Sequence, residues 1–202
     1  TGEPKRIEIS REALIASAHA AAFVLDAAEN SSQWLLALPT NFIAGANALI
    51  RSVMAGTQPV MMNTSVPFTA EAFANSAIHL KADKKFTSLV PTQLTRLAKA
   101  AKHDDFVLEQ LRKFDAILVG GQATDHVLIG ELEALGVNIV TTYGMTETCG
   151  GCIYNGLPIG DTELKLLDGR IAIKNSMLAN VSLGADGFFV TNDAGEITDD
   201  GR

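Results

Sequence analysis

The feature that most constrains this chain is an alternation that runs through its middle. Short apolar runs at residues 34–38, 58–62, 86–90, 115–119 and 137–141 are separated by segments of helical period. The first of these segments, 43–55, carries Leu49, Ile50 and Val53 as its expected inner face and stops at Gly56. Thr69 is a fitting N-cap for the second, which runs to His79. The third begins at Pro91 and carries Leu94, Leu97 and Ala98. Thr124 is the expected cap of the fourth, with Leu128, Leu132 and Leu135 inward and Gly136 as its stop. Strands joined through helices pair in parallel, so the expected fold class is α/β: a mostly parallel sheet with helices on both faces. Open sheets of this kind bind ligands at the carboxyl ends of their strands. The polar turns 39–42, 91–93, 120–123 and 143–147 all fall there.

The flanks read differently. Thr1-Gly2-Glu3-Pro4-Lys5 offers a hydroxyl, a flexible backbone and a cation, a combination suited to an anion. Ile7-Glu8-Ile9 alternates as a short strand would. Ser10 is the expected N-cap of a helix burying Leu14, Ala18, Ala21, Ala22 and Leu25. Past Gly151 the pattern turns antiparallel. Leu164–Leu167 and Arg170–Ile173 flank Asp168-Gly169, the signature of a type I′ hairpin. A second hairpin is expected around Asn192-Asp193-Ala194-Gly195. The expected organisation is therefore an α/β subdomain over 1–150 and a small antiparallel β subdomain over 151–202.

Composition narrows the class. Of 202 residues, 47% are hydrophobic and 19% charged, which is globular rather than disordered. The net charge of −7 argues against a nucleic-acid surface. The longest apolar stretches are too short for membrane insertion. Two cysteines and no apolar leader after the first residues point to the cytoplasm. The two form Cys149-Gly150-Gly151-Cys152, which lacks the further ligands of a zinc site and the helix start of a redox motif, so it reads as small residues in a tight loop. A dinucleotide oxidoreductase would want GxGxxG after the first strand, and none occurs. His19, His79, His103 and His126 are scattered and carry no pattern.

Chemistry concentrates where the last strand of the series ends, at Tyr143-Gly144-Met145-Thr146-Glu147-Thr148. An aromatic ring can stack on a base, a hydroxyl can bond a phosphate oxygen, and a carboxylate is a hard oxygen ligand of the kind Mg²⁺ takes beside nucleotide phosphates. The same residues also read as a strand followed by a helix start capped by Thr146.

The hexapeptide resembles the YGxTE signature of the adenylate-forming superfamily, which activates carboxylic acids with ATP. Gly120-Gly121-Gln122-Ala123 is similar to that superfamily's adenine-lining GG(A/E) element. Gly187-Phe188-Phe189-Val190-Thr191-Asn192-Asp193 is similar to its GWxxTGD element, with Asn192 where glycine is usual. Thr1 to Lys5 looks like the second half of its phosphate loop. Residues 87–97 and the run from Val140 to Pro158 resemble the o-succinylbenzoate–CoA ligases of menaquinone biosynthesis, actinobacterial forms in particular. Phe42 stands where related ligases carry histidine.

The resemblance implies ATP, Mg²⁺ and coenzyme A as ligands, and a small carboxylic acid as substrate. It implies that Thr146 and Glu147 act in catalysis, with Glu147 holding the metal. Thr1, Gly2, Lys5, Gly121, Gln122, Ala123, Tyr143, Gly144, Thr146 and Asp193 would bind the nucleotide. Phe42, Gln93, Arg96, Gly120, Gly144 and Met145 would border the acid. A second carboxylate on that acid needs a cation, and Arg96 with Gln93 three residues before it on one helical face is the expected partner, unless Arg96 simply faces solvent. Other aryl or fatty acids remain open as substrates, as does nucleotide binding without catalysis. A homo-oligomer is equally open. Members of the superfamily carry an upstream subdomain and a C-terminal domain with a catalytic lysine, and this chain is expected to be a piece lacking both.

Overall fold

A computed structural model describes residues 6–198. Thr1, Gly2 and Lys5 lie outside the described residues, so the expected phosphate contacts at the start of the chain do too. The chain begins with α1 (Arg11–Val24), then β1 (Ser32–Leu36), α2 (Ile43–Met54), β2 (Val60–Met61), α3 (Ala70–Ala77), β3 (Lys84–Leu89), α4 (Pro91–Ala101), α5 (Asp105–Arg112), β4 (Ala116–Gly120), α6 (His126–Ala134) and β5 (Ile139–Met145). A single 3₁₀ turn, Thr146–Thr148, leads to β6 (Gly150–Tyr154) and β7 (Leu157–Pro158). The small unit follows as β8 (Glu163–Leu167), β9 (Arg170–Lys174) and β10 (Phe189–Ala194).

The large sheet has the order β2-β1-β3-β4-β5-β6-β7. Its first five strands pair in parallel, and β6 and β7 add an antiparallel edge. The mostly parallel sheet expected from the alternation is present, with β8–β10 as a separate three-stranded antiparallel sheet. The large sheet runs on past residue 150 into β6 and β7, so the change of layer falls after Pro158.

Burial explains why these strands read as unbroken apolar runs. In β4, Ile117 and Val119 face one core with Leu35, Phe73, Leu89, Leu94, Leu132 and Ile139. Ala116 and Leu118 face the other with Trp34, Phe86 and Val140. Both faces of the pleat are covered, so both parities must be apolar. The second core also takes in Ile173 and Met177 from the small unit, both fully buried.

Several local expectations are corrected. Ser10 and Thr69 cap α1 and α3, accepting from the N–H groups of Ala13 (3.0 Å) and Ala72 (3.1 Å). The cap of α6 is Asp125 rather than Thr124, accepting from Val127 N–H at 2.8 Å. Residues 7–9 form no strand. An unforeseen helix, α5, starts at the Asp104 cap and buries Val107, Leu108 and Leu111. The face of α2 is reversed: Val53 is 70% and Leu49 38% exposed, while Asn47, Ala48, Arg51 and Ser52 are buried. The hairpin at Asp168-Gly169 forms, both residues at positive φ as a type I′ turn requires. The second hairpin does not: β10 continues through Asn192 and Asp193, which fall at an irregularity in its pairing with β9, and Glu196-Ile197 is not a strand. Among the described residues, no helix is long and apolar enough to cross a membrane.

Candidate functional site

β2 and β3 leave β1 on opposite sides, so the strand order reverses between β1 and β3. Loops diverge at such a point and leave a crevice. Here the crevice is a cleft of about 770 Å³, walled by the turn after β1 (Leu38 to Ile43), the turn after β3 (Ser88 to Gln93), the ends of β4 and β5, and α2. It gathers seven of the expected site residues: Phe42, Gln93, Arg96, Gly120, Gly121, Gly144 and Thr146. Gln122, Ala123, Tyr143, Met145, Glu147 and Asp193 do not line it.

The glycines divide by cause. A Cβ on Gly120 would fall on Thr142, and one on Gly144 would fall on the Gly150 carbonyl. Both are therefore required by close strand packing, whatever ligand lies beyond. Gly121 has open space around it and sits at φ +86, so the turn itself asks for glycine.

The signature turn is held from three sides. The Thr148 hydroxyl accepts from Met145 N–H (2.9 Å) and donates to the Gly150 carbonyl (2.7 Å). It is Thr148, then, and not Thr146, that closes the turn, which leaves Thr146 exposed on the cleft wall. Cys149 follows in the left-handed region at φ 53. Its carbonyl accepts from Asn47 Nδ2 (2.7 Å) on α2 and Ser17 Oγ (3.1 Å) on α1. From the small unit, Ala179 N–H donates to the Glu147 carbonyl at 2.8 Å. Both cysteines are free and buried, and burial pushes both thiols up to about 11. They are buried packing, but the expected tight loop is corrected: Gly150, Gly151 and Cys152 belong to β6.

Of the polar residues on the acid side, Gln93 is committed to structure. Its Oε1 accepts from Val90 N–H (3.1 Å) and its Nε2 donates to the Ala37 carbonyl (3.1 Å), tying α4 to the end of β1. Arg96 is exposed at the cleft mouth and donates through Nη1 to the Phe68 carbonyl at 2.8 Å. Phe42 is 62% exposed on the opposite lip.

The residue that sequence reasoning missed is Arg51. It is only 7% exposed, lines the cleft, and stacks over Trp34 with its guanidinium carbon 4.9 Å from the ring centre. Its Nη2 donates to the Tyr154 hydroxyl at 3.1 Å, and its Nε has no hydrogen-bond partner. Among the described residues, Arg51 makes no ion pair. A buried cation without a counter-ion is costly, so a cleft that keeps one is suited to an anion. The signal in the sequence was a cation four residues after Asn47 on one helical face, outweighed there by the more apolar face of Leu49 and Val53.

Beyond the rim, the Tyr143 hydroxyl donates to Asp193 Oδ2 at 2.7 Å, joining the end of β5 to β10. Burial, and then the bond to Asp193, push this hydroxyl well above the ordinary tyrosine range, so it stays a donor. Among the described residues no group of three or more His, Cys, Asp or Glu could hold a metal alone.

A nucleotide-scale cleft at the switch point of a mainly parallel sheet, rimmed by a Thr–Glu turn, describes a class of nucleotide-dependent enzymes. The chain matches the family of AMP-binding enzymes over residues 1–178, and it belongs to that family. It is 38% identical over 206 residues to a probable 2-succinylbenzoate–CoA ligase of Mycobacterium tuberculosis, an alignment that covers 98% of this chain and 52% of that protein. The o-succinylbenzoate CoA synthetase of Bacillus subtilis in complex with the acyl-adenylate intermediate OSB-AMP has the same fold, with a TM-score of 0.84 at 25% identity over 100% of this chain and 46% of that one. The same synthetase in complex with ATP and magnesium gives 0.82 at 24% identity, again over 100% and 46%, a likeness of fold. The chain spans about half the length of the curated relatives it matches.

Proposed function

We propose that the protein containing this chain is an AMP-forming acid–thiol ligase of the cytoplasm that activates o-succinylbenzoate for menaquinone biosynthesis. The acid's carboxylate attacks the α-phosphate of ATP and pyrophosphate leaves. The thiol of coenzyme A then attacks the acyl-adenylate and releases AMP. Two anions must meet, so positioning and charge neutralisation carry the catalysis. Thr146 contacts phosphate oxygens, and Glu147 holds Mg²⁺, which offsets phosphate charge when bound. Gly121, Gln122 and Ala123 border the adenine, the Tyr143 ring stacks on it, and Asp193 accepts from the ribose. Phe42, Gly120, Gly144 and Met145 bound the acid.

The observation that carries this reading is Arg51. An apolar-walled cleft with a buried guanidinium that makes no ion pair among the described residues suits an acid with an aromatic body and a second carboxylate that does not react. Arg51, 7% exposed, answers that need better than Arg96, which is exposed to water. Charge-assisted hydrogen bonds of this kind contribute about 1.5–3 kcal/mol. In the intact protein, Arg51→Met should lose roughly 10- to 150-fold in kcat/KM for the succinyl acid, measured by pyrophosphate release. It should lose little for a benzoate lacking the second carboxylate, and Arg96→Ala should change both within about threefold. Equal losses on both acids for Arg51→Met would remove the second-carboxylate assignment.

A further inference from the structure

Tyr143 and Asp193 belong to different sheets, and each sits at an irregularity. The pairing of β5 with β6 shifts register between Tyr143 and Gly144. The pairing of β10 with β9 shifts between Val190 and Ala194. Register shifts re-aim side chains, and here the two residues so affected meet in the 2.7 Å bond from the Tyr143 hydroxyl to Asp193 Oδ2. Asp193 is also fixed at its backbone, where its N–H donates to the hydroxyl of buried Thr191 at 3.2 Å. The carboxylate is thus clamped at one oxygen and exposed at the other. An ionised carboxylate has about four acceptor positions on two oxygens. With one position on Oδ2 taken by the tyrosine, Oδ1 accepts no hydrogen bond among the described residues.

We infer that the Tyr143 hydroxyl is a positioning group: it orients the Asp193 carboxylate so that the open acceptor positions take both hydroxyls of one vicinal diol, while the ring that carries it presents its face to the base of the same nucleotide. One hydrogen bond then couples base and sugar recognition, and through it the small β unit is linked to the large sheet at the site. This rests on the nucleotide reading above. Asp193 without the tether keeps its charge but not its aim, so the hydroxyl acts on the diol only through Asp193.

The test is AMP binding by calorimetry to the intact protein, set against 2′,3′-dideoxy-AMP, which keeps base and phosphate and lacks the diol. Tyr143→Phe keeps the ring. It should weaken AMP about fivefold to tenfold, the value of one hydrogen bond. It should leave the dideoxy compound within about twofold, so that the preference for the diol shrinks. Asp193→Ala should erase that preference. Equal losses on both nucleotides in Tyr143→Phe, or none, with the preference still lost in Asp193→Ala, would overturn the positioning role alone. A diol preference that survives in a folded Asp193→Ala protein would overturn the nucleotide assignment beneath it, and thermal melting of each variant identifies a misfolded one.

Discussion

The large sheet and the small one are held in place by different physics. In β4 four of five residues are buried, and the strand is fixed by packing on both faces. In β8 none is. The small unit contributes a short list of buried side chains, Ile173 and Met177 chief among them. Among the described residues its attachment near the site includes single hydrogen bonds: Ala179 to the Glu147 carbonyl, Asn180 to the Glu8 carbonyl at 2.8 Å, and Tyr143 to Asp193. Site residues on the first unit inherit the rigidity of a packed core. Asp193 depends on individual polar contacts.

Truncation should separate the two most sharply. Phe86 is fully buried, with its ring 5.2 Å from Trp34. Phe86→Ala should cost about 3–5 kcal/mol in urea unfolding, through lost transfer energy and the cavity left behind. Val190 on β10 is 39% exposed, and Val190→Ala should cost under about 1 kcal/mol. Comparable costs at both positions would mean that the small sheet is packed as firmly as the large one.

The next effect is on rate rather than stability. Glu147 sits on a turn fixed by Thr148, Asn47 and Ser17, so its geometry should survive loss of its charge. Glu147→Gln should lower pyrophosphate release by about 10²–10³, the typical effect of removing one catalytic electrostatic partner, with an unchanged urea midpoint. A near-normal rate in the folded variant would leave Glu147 as a turn residue.

The same division decided what could be read from the residues alone. Strands buried on both faces announce themselves, so the parallel layer and the turns around its cleft were legible. So were the caps at Ser10 and Thr69, because a hydroxyl before an apolar period has a local cause. What failed depended on partners distant in sequence. Leu49 and Val53 look like a core face, yet α2 turns Asn47 and Arg51 inward, because the carbonyl of Cys149 and the hydroxyl of Tyr154 wait there, more than 100 residues away. Asn192-Asp193-Ala194-Gly195 has turn chemistry, yet β10 continues through it as far as Ala194, which pairs with Arg170 of β9, the turn residues are absorbed as an irregularity of that pairing, and Tyr143 takes the Asp193 carboxylate. Helix α5 is short and amphipathic between two stronger signals, and only its Asp104 cap marked it.

The smallest expected effect sharpens the comparison at the seam, where the turn after β5 enters β6. Cys149 and Cys152 are fully buried there, and burial holds both thiols up at about 11 against an ordinary value of 9.0. The Thr148 hydroxyl pulls Cys152 back only in part. Tyr143 lies beside Cys152 and is raised as well. The sign follows from proton counting. The unfolded chain releases a thiol proton near pH 9, while the folded chain keeps it until about 11, so between these values the unfolded state binds fewer protons. Stability from these groups is therefore complete below pH 9 and is lost as pH rises through the folded value. Unfolding midpoints should fall between pH 9 and 11, and Cys152→Ala should flatten that decline by on the order of 1 kcal/mol. Tyr143→Phe should flatten a separate part of it, beginning near pH 10. Because the thiolate is the reactive form, iodoacetamide at pH 8 should label neither cysteine until the protein unfolds. Rapid labelling of the native protein, or a decline identical in wild type and Cys152→Ala, would mean that β6 opens to solvent and that the large sheet's firm packing stops short of the seam.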